Sequence, residues 1–323
     1  MKKIGVFTSG GDAPGMNAAI RAVVRACAYY NITCMGIRRG YQGLIENDLC
    51  VLNARSVNHI LGLGGTMLKT ARSEEFKTYE GRKTAYKTCQ KHQLDGLICI
   101  GGDGSFTGAE LFHREYGVPV MGLPGTIDND LFGTDYTIGY DTATNTVMEA
   151  MDKIRDTATS HDRLFFVEVM GRDSGFIALR SGVATGVIAI MLPEEEISID
   201  ELITILDRGA KNGKTSSIVI VAEGNGNGGA YNLAEKVTRK YAKYDTRVTI
   251  LGHIQRGGRP TAFDRALASR MGVRAVEEIM KGESDKMVGI RDDKLVLIPF
   301  SEAINTLKKP SEEIIRVAKI LSI

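Results

Sequence analysis

The feature that most constrains this chain is a repeated junction. A short, continuously apolar run passes into glycines that bracket polar residues, and a stretch with helical spacing follows. Residues 4–8 lead into Ser9-Gly10-Gly11-Asp12, and residues 17–29 follow with Ile20, Val23, Val24 and Cys27 at helical intervals. Residues 97–100 lead into Gly101-Gly102-Asp103-Gly104-Ser105 and a helical stretch to Phe112. Residues 118–123 lead into Pro124-Gly125-Thr126, and later strands are predicted at 164–169, 187–192, 218–222 and 248–251. Strands separated by helix-length segments predict βαβ units and a largely parallel sheet. Runs that are continuous rather than alternating fit sheets covered on both faces. Ligands in such folds sit beyond the carboxyl ends of the strands, where this chain places its glycines.

The remaining pattern concerns organisation. Residues 141–157 read as a long helix that carries the chain from one α/β lobe to another. Residues 263–280 read as helix, 287–300 as a strand pair, and the rest as helices split by Pro310. The glycine-rich stretch 224–229 reads as a surface loop. No fixed-period repeat or low-complexity tract is visible. A length of 323 residues fits two domains or one large one. Lys plus Arg number 41 against 39 Asp plus Glu, a net +2, which argues against a dedicated nucleic-acid binder or a polybasic membrane protein. No apolar run approaches the ~18–20 residues of a membrane span. Met1-Lys2-Lys3 runs straight into a strand without an apolar leader. The five cysteines form no Cys-x-x-Cys, so reduced thiols in a cytoplasmic protein are expected and a zinc site is not.

Four constellations carry chemistry. In Thr8-Ser9-Gly10-Gly11-Asp12-Ala13-Pro14-Gly15-Met16-Asn17, glycines let the backbone approach an anion at a helix N-terminus. Gly10 and Gly15 have P-loop spacing, but Met16-Asn17 stands where Lys-Ser/Thr is needed, which disfavours a P-loop NTPase. A tight strand-to-helix turn explains the segment equally well. The loop at 101–105 suits a triphosphate, with Asp103 as an oxygen ligand to magnesium, or a plain turn with an Asx hydrogen bond. It is not a dinucleotide fingerprint, because Gly102-x-Gly104-x-x-x-Gly108 is one residue too long. The third is Pro124-Gly125-Thr126-Ile127-Asp128-Asn129-Asp130. If its strand neighbours the one before Asp103, then Asp103, Asp128 and Asp130 converge. One carboxylate then acts as a base while another works through metal or electrostatics. A helix cap is the plainer reading. The fourth is cationic: Arg72, Arg163, Arg172, Arg247 and Arg256, with His253 in Leu251-Gly252-His253-Ile254-Gln255-Arg256-Gly257-Gly258. Arginine forks suit phosphoryl oxygens, although each alone reads as a solvated charge. His59, His92, His113 and His161 show no metal-ligand spacing.

Taken in order, and with Met170-Gly171-Arg172 added, these blocks closely resemble bacterial ATP-dependent 6-phosphofructokinase. The resemblance continues through Ala268-Ser269-Arg270-Met271-Gly272. It implies an α/β protein of two Rossmann-like lobes with largely parallel sheets and a site in the cleft between them. Residues 1–139 plus 256–304 would form the nucleotide lobe, and 140–255 plus 305–323 the sugar-phosphate lobe. It implies ATP-dependent phosphorylation of fructose 6-phosphate with Mg2+, in the cytoplasm, with neither nucleic acid nor membrane as partner.

By that resemblance, Gly11, Arg72, Ser73, Gly102, Asp103, Gly104 and Ser105 match ATP-contacting positions, and Asp103 matches the magnesium position. Asp128 matches the base that takes the proton of the fructose 1-hydroxyl. Thr126 and Asp130 flank it, and Arg172 matches a cation near the transferred phosphoryl group. Thr126, Ile127, Asp128, Arg163, Met170, Gly171, Arg172, Glu223, Arg247, His253, Ile254, Gln255 and Arg256 match substrate positions. The family equivalents of Arg163 and Arg247 come from a neighbouring subunit, which implies a homotetramer with shared sites.

Arg21 and Arg25 share a helix face. With Arg155, Gly186 and Lys214 they match an effector site for ADP or phosphoenolpyruvate. Three departures stand out there: Ala54 in place of an arginine, Ile188 in place of a glutamate, and Asn212, Thr215 and Ser216 at positions that are sometimes basic. Pyrophosphate-dependent relatives carry aspartate at the position of Gly104 and lysine at that of Gly125, side chains that would fill nucleotide space. This chain's glycines therefore favour ATP. A lipid or NAD kinase shares the Gly-Gly-Asp-Gly loop but explains neither Ile127-Asp128-Asn129-Asp130 nor the His253 block. A catalytically dead sugar-phosphate sensor should have lost Asp103 or Asp128, and neither is lost.

Overall fold

The glycine junctions lie at strand ends, as their spacing predicts. The computed structural model describes residues 1–161, 163–214 and 216–322. Its elements run β1 (Lys3–Thr8), α1 (Met16–Tyr29), β2 (Thr33–Ile37), α2 (Tyr41–Glu46), β3 (Leu49–Leu52), α3 (Tyr79–His92), β4 (Gly96–Gly101), α4 (Asp103–Tyr116), β5 (Val120–Pro124) and α5 (Tyr140–Thr159). They continue with β6 (Arg163–Val169), α6 (Phe176–Thr185), β7 (Ala189–Met191), α7 (Ile199–Lys211), β8 (Ser217–Ala222), α8 (Gly229–Lys240) and β9 (Asp245–Ile250). The last are α9 (Ala262–Met280), β10 (Lys286–Arg291), β11 (Lys294–Pro299), α10 (Phe300–Asn305) and α11 (Glu312–Leu321).

One compact unit comprises Met1–Ile127, Leu131–Thr142 and Arg256–Lys308; the other comprises Asp128–Asp130, Ala143–Gln255 and Lys309–Ile323. The first holds a seven-stranded sheet in the order β11-β10-β5-β4-β1-β2-β3. Its five inner strands run parallel, and the edge strands β3 and β11 are antiparallel to their neighbours. All six residues of β4 are buried, as its unbroken apolar run requires. Phe7, Leu97, Phe106, Phe112 and Phe300 anchor the core here, with Phe106 stacked on Phe300 at 4.9 Å. The second unit holds an all-parallel sheet in the order β7-β8-β6-β9, packed around Leu164, Phe166, Leu202, Leu206, Val219 and Leu233.

Several boundaries differ from the sequence reading. Helix α4 runs on to Tyr116, where Gly117 adopts φ 67° and ends it. β7 is only three residues long, and β9 starts at Asp245, earlier than its apolar run indicates, because Asp245, Thr246 and Arg247 are polar and give no apolar signal. β2, β3, α2 and α3 lie where the sequence gives no strong periodic signal.

Helix α9 is capped by Thr261, whose hydroxyl accepts from Asp264 N. Asp264 in turn is fully buried and accepts from Gly139 N at 2.9 Å and Thr142 N at 2.8 Å, capping α5. Burial pushes its carboxyl up to about 6, against the opposing pull of those donors. Among the described residues no helix is long and apolar enough to cross a membrane.

Candidate active site

In the first unit, β1, β4 and β5 lie side by side, so the loops that follow them leave one sheet edge together. Ser9 N donates to Ile100 O at 2.9 Å, and Gly125 N donates to Gly101 O at 3.0 Å. The approach is close enough to demand glycine: a Cβ on Gly101 would lie 2.4 Å from Ser105 Oγ and 2.7 Å from Ser9 O. Gly15 enters α1 at φ 106°. The N-caps of α1 and α4 are Gly15 and Gly102, which bring no side-chain cap. Asp103 opens α4 half-buried, Gly104 is exposed, and Ser105 is buried. Around a Cβ at Gly104 nothing lies within 4 Å, whereas one at Gly125 would meet Ile100 Cγ2 at 2.9 Å and Met16 Cε at 3.1 Å. Core atoms therefore already occupy the space beside Gly125.

Arg72 is exposed, and Ser73 Oγ donates to Gln42 Oε1 at 2.7 Å. Thr126 O accepts from Thr137 Oγ1 at 2.6 Å, and Ile127 is fully buried. Arg256, expected among the sugar-phosphate residues, lies in this unit with its guanidinium beside Gly11, donating to Asp12 O at 3.2 Å.

In the second unit, Asp128 is 7% exposed and Asn129 follows it at φ 55°. Ser174 Oγ lies 3.2 Å from Asp128 O and 2.9 Å from Gly171 O, so it ties the Asp128 loop to the turn at 170–172. Arg172 takes φ 56°, a costly conformation for a non-glycine residue and one found preferentially at functional sites. Its N–H donates to Glu223 Oε1 at 2.6 Å, and Gly171 N donates to the same oxygen at 3.3 Å. Gln255 is fully buried; its Oε1 accepts from Met170 N, and its Nε2 donates to Gly252 O. Gln255 is thus a brace for the 170–172 turn. Asp130 is half-buried, and His253 and Ile254 are exposed. Arg163 and Arg247 lie on the neighbouring strands β6 and β9.

A cavity of about 180 Å³ in the second unit is lined by Arg155, Gly186, Ile188, Lys214 and Ser216, among others. It brings together three of the five predicted effector residues. Among the described residues its lining contains no carboxylate. Thr215 lies outside the described residues. Arg21 and Arg25 stand one turn apart on α1 of the first unit, where burial and then the Arg25 charge lower the Arg21 pKa.

A family model described as phosphofructokinase matches residues 3–279. The chain belongs to the phosphofructokinase family. It is 54% identical over 323 residues to ATP-dependent 6-phosphofructokinase 2 of Bacteroides thetaiotaomicron, covering 100% of this chain and 99% of that one. It is 53% identical over 323 residues to ATP-dependent 6-phosphofructokinase 1 of Thermus thermophilus, covering 100% of both. The structure of phosphofructokinase from Saccharomyces cerevisiae matches with TM-score 0.89 and 38% identity over 94% of this chain. This chain spans 45% of that longer chain.

Sequence reasoning missed the supports beneath this phosphofructokinase-family site. Tyr41 OH donates to Ser105 O at 2.6 Å, and its ring stacks on Phe76 at 3.9 Å. Adjacent Gln42 holds Ser73, so the start of α2 braces two of the expected nucleotide segments. Asn17 Nδ2 donates to Leu63 O and Gly64 O, and its Oδ1 accepts from Met67 N at 2.7 Å. Thr70 Oγ1 donates to Gly10 O at 2.8 Å. These bonds lace the stretch leading to Arg72 onto the first glycine motif. No periodic signal marks that stretch.

Proposed function

We propose that this chain transfers the terminal phosphoryl group of ATP to the 1-hydroxyl of fructose 6-phosphate, giving fructose 1,6-bisphosphate and ADP. The observation that carries this is the retention of both Asp103 and Asp128 in a chain 54% identical end to end to a protein named for that activity. Phosphoryl transfer asks a protein for positioning, charge neutralisation and one base. In this reading the first unit takes the nucleotide. Gly11, Arg72, Ser73 and the 102–105 loop receive the phosphates, helped by the N-termini of α1 and α4. Electrostatics support that division. In the second unit, Glu194 accepts from Gly175 N and Glu168 from Ala230 N, so carboxylates already neutralise the starts of α6 and α8. In the first unit, glycine-capped α1 has no acidic residue in its first turn, and the one in glycine-capped α4 is Asp103, the expected magnesium ligand.

Asp103 would hold magnesium. Among the described residues no group of three or more His, Cys, Asp or Glu is placed to hold a metal. A single carboxylate with open space at Gly104 fits magnesium completed by phosphate oxygens and water. Bound there, the ion supplies charge neutralisation at the phosphates. Asp128 takes the hydroxyl proton, and Arg172 faces the developing phosphoryl charge. Met170, Gly171, Glu223, His253 and Arg256 contact the sugar phosphate, with Arg163 and Arg247 supplied by another subunit of a homotetramer. The cytoplasm is the expected compartment, in keeping with five free cysteines.

The test is a coupled assay of the purified protein with magnesium, fructose 6-phosphate and either ATP or pyrophosphate. ADP should form only when the sugar phosphate is present, and pyrophosphate should give no turnover of consequence. Efficient pyrophosphate use, or ATP turnover indifferent to fructose 6-phosphate, overturns the reading.

The cavity at Arg155, Gly186 and Lys214 is read as an effector site for phosphates. Ile188 lines it where the resemblance implies a glutamate, so among the described residues the effector's magnesium finds no carboxylate there. A charge-assisted contact contributes about 1.5–3 kcal/mol, so each one missing weakens binding by roughly ten-fold or more. Magnesium-ADP is therefore expected to shift the fructose 6-phosphate saturation curve only weakly. Titrating ADP and phosphoenolpyruvate against that curve checks this; strong activation by magnesium-ADP refutes it.

A further inference from the structure

Arg163 and Arg247 are held by one carboxylate. Arg163 opens β6 and lies opposite Asp245 in the parallel register with β9, and Arg247 stands two residues along β9, on the same sheet face as Asp245. Asp245 Oδ2 accepts from Arg163 Nε at 3.2 Å, and Oδ1 lies 2.6 Å from Arg247 Nη1. That nitrogen also donates to Thr246 O at 3.1 Å. Two guanidiniums this close would repel one another and splay without an anion between them. β9 is an edge strand of its sheet, so packing alone does little to restrain their long side chains.

We infer that Asp245 is a positioning residue that gathers Arg163 and Arg247 into one phosphate-binding fork, and so sets the affinity for the sugar phosphate. The inference rests on the reading that these two arginines take the 6-phosphate. The geometry favours positioning over blockade. Among the described residues, Arg163 is engaged only through Nε, and Arg247 only through Nη1. Each fork therefore keeps further N–H groups to offer a phosphate while Asp245 stays bound. A fork already oriented loses less side-chain freedom when the ligand arrives. The ion pairs are partly exposed, with side-chain exposures of 24%, 46% and 49% for Arg163, Asp245 and Arg247, so the effect is moderate.

Steady-state kinetics on the full-length protein test this. Asp245→Asn should raise the half-saturating fructose 6-phosphate about 3- to 10-fold, the size expected of two exposed ion pairs. The Michaelis constant for ATP and the saturating turnover should stay near wild type, and Asp245→Glu should recover most of the loss. A lowered half-saturation in Asp245→Asn would show that the carboxylate competes with the phosphate, and overturns the inference. So does a lowered melting temperature with unchanged half-saturation, which would make Asp245 merely a sheet-edge contact. Arg247→Ala separates the two levels. If it too leaves half-saturation unchanged, the reading of the arginines fails, and not only the role of Asp245.

Discussion

Asp128→Ser is expected to cut turnover by about 10²–10⁴-fold, the contribution usual for a positioned general base, while the protein stays folded. The side chain lies in a loop after β5 and is 7% exposed, so its carboxylate works where solvent screens little. Its backbone oxygen, held near Ser174 Oγ, is untouched by the substitution. Serine keeps a polar group of smaller size at the position and removes the proton acceptor. If Asp128 were only a turn or cap residue, the change would instead cost about 1 kcal/mol of stability and leave turnover nearly normal. Measuring kcat beside a thermal melt separates the two. A folded variant with wild-type turnover removes Asp128 from the chemistry.

How much of this was legible in the sequence follows from where each signal lies. β1, β4, β6 and β8 are continuous apolar runs, because both faces of their sheets are covered, and such runs can be read without neighbours. The glycines between β4 and α4 could be read as a ligand loop. That Gly101 is demanded by Ser105 and Ser9 could not, because the clash involves a residue some ninety positions away. β3 is an apolar run of only four residues at a sheet edge, with Leu52 buried and Val51 exposed, too short to be told from a loop by pattern alone. Tyr41, Gln42 and the bracing role of Asn17 escaped for a related reason. Their work is done by individual hydrogen bonds to atoms distant in sequence (Ser105 O for Tyr41, Ser73 Oγ for Gln42, Met67 N for Asn17), and such bonds impose no spacing. Arg256 shows the reverse case. Its motif could be read in the sequence, while the place of its guanidinium beside Gly11 could not, because the two residues lie far apart in the chain.

Gly104→Asp is the sharper of two tests for nucleotide choice and should lower kcat/KM for ATP by about 10–100-fold, the loss expected when a charge-assisted phosphate contact is replaced by repulsion. Space is not the obstacle, because a Cβ there meets nothing within 4 Å. Nor is folding, since an added carboxylate in the first turn of α4 favours the helix. What changes is charge. A second carboxylate beside Asp103 places negative potential where the nucleotide's phosphates are expected. Gly125→Lys cannot separate these effects, because its Cβ would press on Ile100 and Met16 before the ammonium reached any ligand. Any loss of ATP use in that variant would mix strain with exclusion. The decisive comparison is therefore Gly104→Asp against wild type, with kcat/KM for ATP and half-saturating fructose 6-phosphate measured together. A fall confined to ATP supports a nucleotide phosphate at Gly104. Unchanged ATP kinetics in a folded variant would mean that the phosphates bind elsewhere, and the 102–105 loop would revert to a turn.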